Sequence, residues 1–369
     1  MYLRGYVRLP LNFVHLNPRT LESLNPQTPM DSRKEMIAFG REALGLPETV
    51  PIQLSPLQRR GSDRTFFRLK WNEKDSAILI HYDPKRLENT YYADIAQFLQ
   101  GLSIPVPRLI HHDPVHCLII TEDLGNTDLW SLRKTPWETR RALYQKTLAI
   151  EQKLHSFREK DFPSDRVKLM ESFGPDLYQW ERDYFKDHFV RGVCGINLEP
   201  RFEQELETEL SSLAERMVES TRCLVHRDLQ SQNVMIRDGE PFLIDFQGMR
   251  FGSLFYDLGS FLCDPYVEIN SDHRMELLLY YYNLSKKDLS WEEFQKMFWE
   301  ASGQRLMQAL GAYGFLGCKK GLKAYLEHIP FGLRHLRLAT SLVSSLPRLR
   351  QLSLACQETI EQKGYDGGF

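Results

Sequence analysis

The sequence predicts an α+β fold of two lobes, in which a small antiparallel β-rich lobe precedes a larger, mainly α-helical lobe. The chain has 369 residues, which is more than one small domain usually holds. Strand patterns dominate from Ile52 to Thr121, and helix-like apolar spacing dominates after Gly125. We therefore predict lobes at residues 31–124 and 125–369.

The first lobe shows one helical pattern and then several strands with a second helix among them. Residues 31–46 have helix-like spacing, and residues 89–102 place their apolar side chains on one helical face. Residues 65–71 are aromatic and partly alternating, whereas 77–82 and 117–121 are short apolar runs. Each of these three segments predicts a strand.

Residues 1–30 show no persistent helical or strand period. We expect a loosely ordered N-terminal extension there, because chain ends stay poorly ordered unless something ties them down. A docking arm is the alternative. Four prolines punctuate the segment: Pro10, Pro18, Pro26 and Pro29.

The second lobe is mainly helical, with one β-rich interruption. Residues 223–252 form a strand-rich island between helical segments. The order predicts a helical lobe that contains one small β insertion. The helix-like segments are 139–157, 177–189, 201–220, 274–284, 291–310 and 333–346.

Charge and composition argue against several classes of partner. The chain has 47 basic and 49 acidic residues, so its formal net charge is −2. A nearly neutral chain has no overall electrostatic attraction to nucleic acid or to an anionic membrane. The six scattered cysteines are typical of reduced thiols, and no apolar run is long enough to cross a bilayer. We expect a cytoplasmic protein that binds neither nucleic acid nor membrane.

The β-rich island contains the chemistry-bearing motif. A His-Arg-Asp-Leu run begins at His226, Asn233 follows Asp228 by five positions, and Asp245 lies in an Ile-Asp-Phe run. This spacing is the catalytic-loop signature of the protein-kinase fold. We predict that Asp228 orients the acceptor hydroxyl and takes its proton, and that Asn233 and Asp245 hold Mg²⁺ at the ATP phosphates. The alternatives are a chance hydrophobic hairpin and a kinase-like fold that has lost activity.

The residues after Asp245 favour a small-molecule acceptor over a peptide. The chain continues Phe-Gln-Gly, and Asp257 follows only twelve positions later with no Ala-Pro-Glu after it. A protein kinase needs a long segment here to present a peptide, and this chain has no room for one. We therefore predict transfer of the ATP γ-phosphoryl group to a hydroxyl of a small molecule.

The sequence resembles the aminoglycoside phosphotransferase and choline kinase superfamily, which has the protein-kinase fold. The resemblance spans about residues 33–352 and is greatest to the bacterial anomeric kinases of N-acetylmuramate and N-acetylglucosamine. It implies an N-acetylated amino sugar as acceptor, phosphorylated at its anomeric hydroxyl during cell-wall sugar recycling. The resembling segments are 61–68, 106–107, 122–125, 154–155, 180–185 and 304–305.

The resemblance also implies residues for nucleotide binding and for support of the catalytic loop. Backbone amides and the Ser62 hydroxyl in a glycine-containing turn can cradle phosphate. His226 is expected to support the loop by hydrogen bonding, and Asp257 to brace it, with a helix N-cap as the alternative for Asp257. The expected nucleotide-binding residues are Gly61, Ser62, Arg64, Arg68, Glu122 and Leu124.

The strand that usually carries a phosphate-binding lysine has none here. Residues 78–82 read Ile-Leu-Ile-His-Tyr, whereas most kinase-fold enzymes use a strand lysine to grip the α- and β-phosphates. Three cations are candidates for that role: Arg64, Arg68 and Lys85. Their alternative is an ordinary solvated surface charge.

Four residues are predicted to contact the acceptor. Tyr184 lies on an aromatic helical face that suits a sugar ring or, alternatively, a helix core. Glu181 and Arg182 suit sugar hydroxyls or, alternatively, a solvated helix surface. Arg305 is the first candidate if the acceptor carries a carboxylate, because a guanidinium matches a carboxylate in shape.

Two further functions stay open at this point. One is a kinase for another small acceptor: an aminoglycoside, a choline-like alcohol or a hydroxy amino acid. The other is a pseudokinase that binds nucleotide without turnover. The missing strand lysine favours the pseudokinase, and the presence of Asp228, Asn233 and Asp245 opposes it.

Overall fold

The structure, a computed structural model, describes residues 30–57, 64–220, 222–285 and 288–364. It divides into two compact units, and the first contains the described residues up to Thr90 together with Leu109–Asp123. The second contains Tyr91–Arg108 and the described residues from Leu124 onward. Of the predicted extension over residues 1–30, residues 1–29 lie outside the described residues, and Met30 begins a helix.

The first unit is built on a five-stranded antiparallel sheet of order β1-β2-β3-β5-β4. A helix, α1 (Met30–Ala43), packs on one face, and a single turn, α2 (Leu87–Thr90), follows β3. The strands are β1 (Gln53–Leu57), β2 (Thr65–Lys70), β3 (Ser76–His81), β4 (Leu109–Asp113) and β5 (Leu118–Glu122).

Alternation along these strands explains why α1 docks on the sheet. Leu69, Leu79 and Ile120 are fully buried on one face, because side chains two apart in a strand point the same way. Gly40 lets α1 approach closely, since a Cβ there would lie 2.7 Å from a methyl group of Leu69. A side chain at Gly40 would require the Leu69 side chain to shift.

The second unit is organised around a long buried helix, α9. Small residues permit its close packing: a Cβ on Gly259 would lie 2.9 Å from the Ser302 Cα atom of α9. A capping box between Ser290 and Glu293 begins the helix. The helices are α3 (Tyr92–Gly101), α4 (Trp137–His155), α5 (Pro175–Phe185), α6 (Pro200–Glu219), α7 (Leu254–Leu262), α8 (Ser271–Leu284), α9 (Trp291–Gly314), α10 (Ile329–Ser341) and α11 (Pro347–Gln362).

Two short antiparallel strand pairs form the β insertion of the second unit. Strand β6 (Arg222–Val225) pairs with β9 (Arg250–Ser253), and β7 (Val234–Arg237) pairs with β8 (Glu240–Leu243). The β7–β8 hairpin turns through an Asp-Gly dipeptide with φ of 54° and 76°, a turn that suits the twist of a tight hairpin. The predicted α+β class, with a small antiparallel sheet and a mainly helical remainder, is confirmed.

One helix falls in a different unit from the one predicted for it. The sequence pattern assigns residues 89–102 to the first lobe, whereas α3 groups with the second unit. Tyr92 of α3 stacks on Phe246, with ring centroids 4.8 Å apart.

Within the described ranges, no helix is long and apolar enough to cross a membrane.

Candidate active site

The predicted catalytic loop connects β6 to β7 and presents Asp228 to solvent. The Asp228 side chain is 31 % exposed. The His226 ring is fully buried and contacts the Ile244 carbonyl at 3.0 Å. Arg227 adopts a φ of 77°, a left-handed conformation that favours glycine and strains an arginine. The loop therefore needs support from outside to hold this shape.

Asp257, on α7, supplies that support through its two carboxylate oxygens. Oδ2 accepts the backbone N–H of His226 at 2.6 Å, and Oδ1 accepts the backbone N–H of Arg227 at 2.8 Å. Asp257 is fully buried, so water does not compete for these bonds. The carboxylate thus fixes the backbone immediately before Asp228.

Asn233 and Asp245 are brought together by backbone pairing at the loop exit. The Ile244 N–H donates to the Asn233 carbonyl at 3.0 Å. The Asn233 Nδ2 donates to the Asp228 carbonyl at 2.9 Å, so the side-chain oxygen is the Asn233 atom suited to a cation. Asp245 has a φ of 67°, and its Oδ1 accepts from Gln247 at 3.0 Å. An amide oxygen and a carboxylate are donors that suit Mg²⁺.

A buried triad of Glu151, His155 and Asp257 lies behind the loop. His155 Nε2 is 3.2 Å from a carboxylate oxygen of each partner, and its Nδ1 is 2.7 Å from the Tyr281 hydroxyl. Burial opposes the charge on His155, but the hydrogen bonds and charges of Asp257 and Glu151 outweigh it and raise the pKa of His155 to about 9. Glu151 was missed by sequence reasoning, although its spacing of four from His155 on a helix is a usable signal.

A second buried histidine, His335 on α10, is held neutral. Its Nδ1 lies 3.0 Å from the Cys263 carbonyl, and its Nε2 lies 3.1 Å from the Arg274 guanidinium. Burial, and then the Arg274 charge, lower the pKa of His335 to about 3. The two histidines therefore respond to pH in opposite directions.

We expect the stability contributed by these histidines to be greatest near their unfolded pKa of about 6.5. The His155 contribution is complete below that pH and is lost as the pH rises to about 9, where the folded state releases its proton. The His335 contribution is present above about 6.5 and is lost as the pH falls towards about 3. Each slope approaches about 1.4 kcal/mol per pH unit within its window.

Urea unfolding from about pH 5 to 9 measures these slopes. The His155→Gln variant should lose part of the alkaline slope and the His335→Gln variant part of the acid slope. Retention of both wild-type slopes in the two variants would contradict the assignment of the charge states.

Two of the predicted nucleotide-binding residues, Leu124 and Glu122, have described packing or pairing partners. Leu124 packs with Met235 and Ile244 in a small cluster beside Asp245. Glu122 ends β5 and pairs with Ala77 of β3 in the first unit. The predicted Gly61 and Ser62 lie outside the described residues.

The three candidate phosphate cations differ in their surroundings. Arg68 forms a two-point ion pair with Asp123, at 2.5 Å and 3.0 Å. The Arg64 guanidinium lies 5.4 Å from the centre of the Phe66 ring. The Lys85 side chain is exposed. Arg68 therefore has a structural partner within the first unit.

The predicted acceptor residues on α5 make contacts within the helical core. Glu181 is 1 % exposed and accepts from the Tyr256 hydroxyl at 2.7 Å and from Gln304 at 3.0 Å. Arg182 is 2 % exposed and donates to Glu207 of α6 at 2.8 Å. These contacts join α5 to α6, α7 and α9.

Tyr184 belongs to an aromatic group at the end of α5. Its ring stacks on Trp180 at 4.9 Å between centroids and meets Phe315 at 5.8 Å. These contacts are those of a packed helix face. They match the core alternative for this aromatic stripe.

Arg305, on α9, reaches the catalytic loop. Its Nη2 is 3.6 Å from Asp228 Oδ1, and its Nε donates to the Ser260 hydroxyl at 3.1 Å. Among the described side chains predicted to bind the acceptor, it is the one with a contact to Asp228. Arg305 is 4 % exposed, so its positive charge is buried beside Asp228.

Asp264 and Tyr266 were not predicted from the sequence. Asp264 accepts from the backbone N–H and the hydroxyl of Ser231 at 2.8 Å and 2.5 Å, and from the Tyr266 N–H at 2.9 Å. The Tyr266 ring contacts Tyr313 at 5.9 Å and His328 at 4.4 Å between centroids. Asp264 thereby joins this aromatic group to the catalytic loop. Ser231 and Asp264 lie 33 positions apart, so no local sequence motif predicts their contact.

The fold and the loop geometry define a phosphotransferase of the protein-kinase-like class. A family model described as "Phosphotransferase enzyme family" matches residues 53–294. The chain belongs to this family. It is a small-molecule kinase, which transfers phosphate to a hydroxyl group.

Known relatives and solved structures agree with this class. An N-acetylmuramate/N-acetylglucosamine kinase of Neisseria meningitidis serogroup B is 23 % identical over 313 residues, which cover 83 % of this chain and 90 % of that protein. The Pseudomonas aeruginosa kinase of the same name is 23 % identical, covering 84 % and 90 %. A choline kinase from Streptococcus pneumoniae superimposes with a TM-score of 0.56 at 14 % identity, covering 83 % of this chain and 99 % of that one.

Proposed function

We propose that this protein is an ATP- and Mg²⁺-dependent kinase that phosphorylates the anomeric hydroxyl of an N-acetylated amino sugar, in cell-wall sugar recycling. The observation that carries the catalytic part is that Asp228 and Asn233 lie on one loop braced by Asp257, and that a backbone bond from Ile244 to Asn233 joins the segment of Asp245 to this loop. The two N-acetylmuramate/N-acetylglucosamine kinases support the acceptor class, since the similarity to this chain covers 90 % of the length of each.

In the proposed mechanism, Asp228 accepts the proton of the acceptor hydroxyl and orients that hydroxyl for attack. Asn233, through its side-chain oxygen, and Asp245, through its carboxylate, would hold Mg²⁺. The bound ion supplies charge neutralisation at the phosphate oxygens. Asp257 keeps the loop in its strained shape, so that Asp228 needs no reorganisation during the reaction.

We assign nucleotide binding to residues 31–124 and catalysis and acceptor binding to residues 125–369. Met235 and Ile244 are the exception, because together with Leu124 they offer an apolar surface for the nucleotide base. Phosphate contacts are assigned to the glycine-containing turn and Arg64. For the sugar, Tyr266 offers an aromatic ring, and such rings suit the apolar faces of sugars.

A phosphorylation assay with Mg²⁺-ATP over a panel of acceptors tests this proposal. The panel contains N-acetylglucosamine, N-acetylmuramate, an aminoglycoside, choline and homoserine, and the Asp228→Asn variant is the control. We expect an acid-labile sugar phosphate that is absent with the variant. Product from another acceptor alone would keep the kinase and discard the amino sugar. Tight nucleotide binding with no product would favour a pseudokinase.

A further inference from the structure

A second buried carboxylate, Asp264, holds the catalytic loop near its exit. Asp264 lies two residues past the end of α7, and its Oδ2 accepts the backbone N–H of Ser231 at 2.8 Å and the Ser231 hydroxyl at 2.5 Å. Its Oδ1 accepts the backbone N–H of Tyr266 at 2.9 Å. Asp257 binds the loop at its entry, immediately before Asp228. The two carboxylates therefore hold opposite ends of the loop.

Ser231 begins the short turn that ends at Asn233, the predicted metal ligand. The two residues span a single 3₁₀ turn, and the Asn233 N–H donates to the Gln230 carbonyl at 2.8 Å. The Ser231 carbonyl accepts the Trp130 N–H at 3.2 Å. Asp264 binds the N–H at the start of this turn, where a helical turn has no internal partner for its first donors. Because Asn233 follows only two residues later, a shift of Ser231 would displace it.

The direction of the Asn233 side chain depends on the same turn. Its Nδ2 donates to the Asp228 carbonyl at 2.9 Å, so the side-chain oxygen is the atom suited to a cation. The Asn233 carbonyl accepts the Ile244 N–H at 3.0 Å, which fixes the residue on its other side. Mg²⁺ tolerates little departure from octahedral geometry at short distances. A displaced turn would therefore weaken the metal contact of Asn233.

The fold keeps Asp264 in this place although burial of a carboxylate is unfavourable. Asp264 is 1 % exposed and Ser231 is fully buried. A buried carboxylate costs free energy unless hydrogen bonds compensate for the lost water. Burial raises the pKa of the Asp264 carboxyl, and the hydrogen bonds from Ser231 and Tyr266 oppose that rise. Since an apolar side chain could fill the space without this cost, the value of the carboxylate lies in the loop that it holds.

We propose that Asp264 is a positioning residue for the metal, because through Ser231 it holds the turn that aims the Asn233 oxygen at Mg²⁺. Asp264 acts through the loop and is not itself a ligand. The inference rests on the proposed function and deepens it, since it adds Asp264 and Ser231 to the residues that set metal affinity. Asp228 keeps its own support from Asp257. Loss of the Asp264 contact should therefore weaken metal binding more than it slows phosphoryl transfer.

Direct metal binding without turnover tests the proposal. Mn²⁺, a paramagnetic substitute for Mg²⁺, is titrated into the full chain with a non-hydrolysable ATP analogue, and free Mn²⁺ is followed by electron paramagnetic resonance. Ser231→Ala removes the hydroxyl that Asp264 accepts, and Asp264→Asn leaves one acceptor oxygen where the carboxylate offers two. We expect the Mn²⁺ affinity to fall by about three- to tenfold in each variant, the effect of one or two lost hydrogen bonds.

A buried serine elsewhere in the second unit is the matched control. Ser353 of α11 is fully buried, and its hydroxyl donates to the Arg350 carbonyl at 2.8 Å. Ser353→Ala thus removes the same group from a comparable environment and should keep the wild-type Mn²⁺ affinity. Circular dichroism establishes that each variant is folded, and Ser231→Ala, the smaller change, decides the test if Asp264→Asn does not fold.

Activity titrated against Mg²⁺ separates positioning from general structural damage. In both variants the Mg²⁺ concentration for half-maximal activity should rise by the factor that Mn²⁺ binding shows. Excess Mg²⁺ should then restore kcat to within about twofold of wild type, because Asp228 remains in place. A merely structural role predicts instead a kcat that stays low at every Mg²⁺ concentration.

The outcomes distinguish this inference from the proposed function. Unchanged Mn²⁺ affinity in folded Ser231→Ala and Asp264→Asn would overturn the positioning role and leave the kinase intact. A loss of kcat that excess Mg²⁺ does not restore would also overturn it. If wild type bound no Mn²⁺ with the ATP analogue, the proposed metal site and the positioning role would both be wrong. Lower Mn²⁺ affinity in the variants, with no sugar phosphorylated by wild type, would support the positioning role and overturn the proposed acceptor.

Discussion

Replacing Asp228 with asparagine is expected to lower kcat by about 10²- to 10⁴-fold, the usual contribution of a general base. Asparagine keeps the shape of the side chain and cannot take the proton of the acceptor hydroxyl. The loop backbone should keep its shape, because Asp257 binds the N–H groups of His226 and Arg227 rather than the Asp228 side chain. Nucleotide affinity, measured by titration calorimetry, should stay close to the wild-type value.

A matched control for this variant is Asp165→Asn. Asp165 lies in a turn with its side chain 75 % exposed, so its replacement should leave kcat at the wild-type value. Near wild-type turnover by Asp228→Asn would show that the catalytic assignment is wrong. A parallel loss of nucleotide binding would indicate a disturbed site rather than a lost base.

The second large effect is expected for Asp245→Asn, which should raise the Mg²⁺ concentration that the enzyme needs for activity. The Mg²⁺ concentration for half-maximal activity should rise by about tenfold or more, because a neutral amide replaces a charged ligand of a hard cation. Asparagine tolerates the left-handed φ of 67° at this position, so the fold should persist. Activity titrated against Mg²⁺ at saturating substrates measures the change.

Asp238→Asn provides a closely matched control. Asp238 also has a left-handed φ, of 54°, and it is exposed in the β7–β8 turn. Its replacement should leave the magnesium titration unchanged. An unaltered titration for Asp245→Asn would contradict its assignment as a metal ligand.

The part of the site that the sequence predicted is local in the chain. Asp228, Asn233 and Asp245 lie within 18 positions, and their spacing is fixed by two short strands and a turn. The fold class was predictable for a similar reason, because strand alternation and helical spacing are local patterns.

The rest of the site depends on distant contacts that no local pattern encodes. Glu151 and Asp257 meet on His155 although they lie on different helices. Burial of Glu181 and Arg182 follows from the packing of α5 against α6 and α9, so a charged helix face that suits solvent lies within the core. Arg250 is the first residue of β9, and no local motif surrounds it. Its electrostatic interaction with Asp228 arises because β9 pairs with β6, the strand that precedes the catalytic loop.

The most direct test of the central claim is the position of the phosphate on the product. N-acetylmuramate labelled with ¹³C at its anomeric carbon is incubated with the enzyme and Mg²⁺-ATP, and the product is examined by ¹³C and ³¹P NMR. The proposed function predicts a phosphorus signal coupled to the labelled carbon, absent with Asp228→Asn. A sugar phosphate without that coupling, or no sugar phosphate at all, would contradict it.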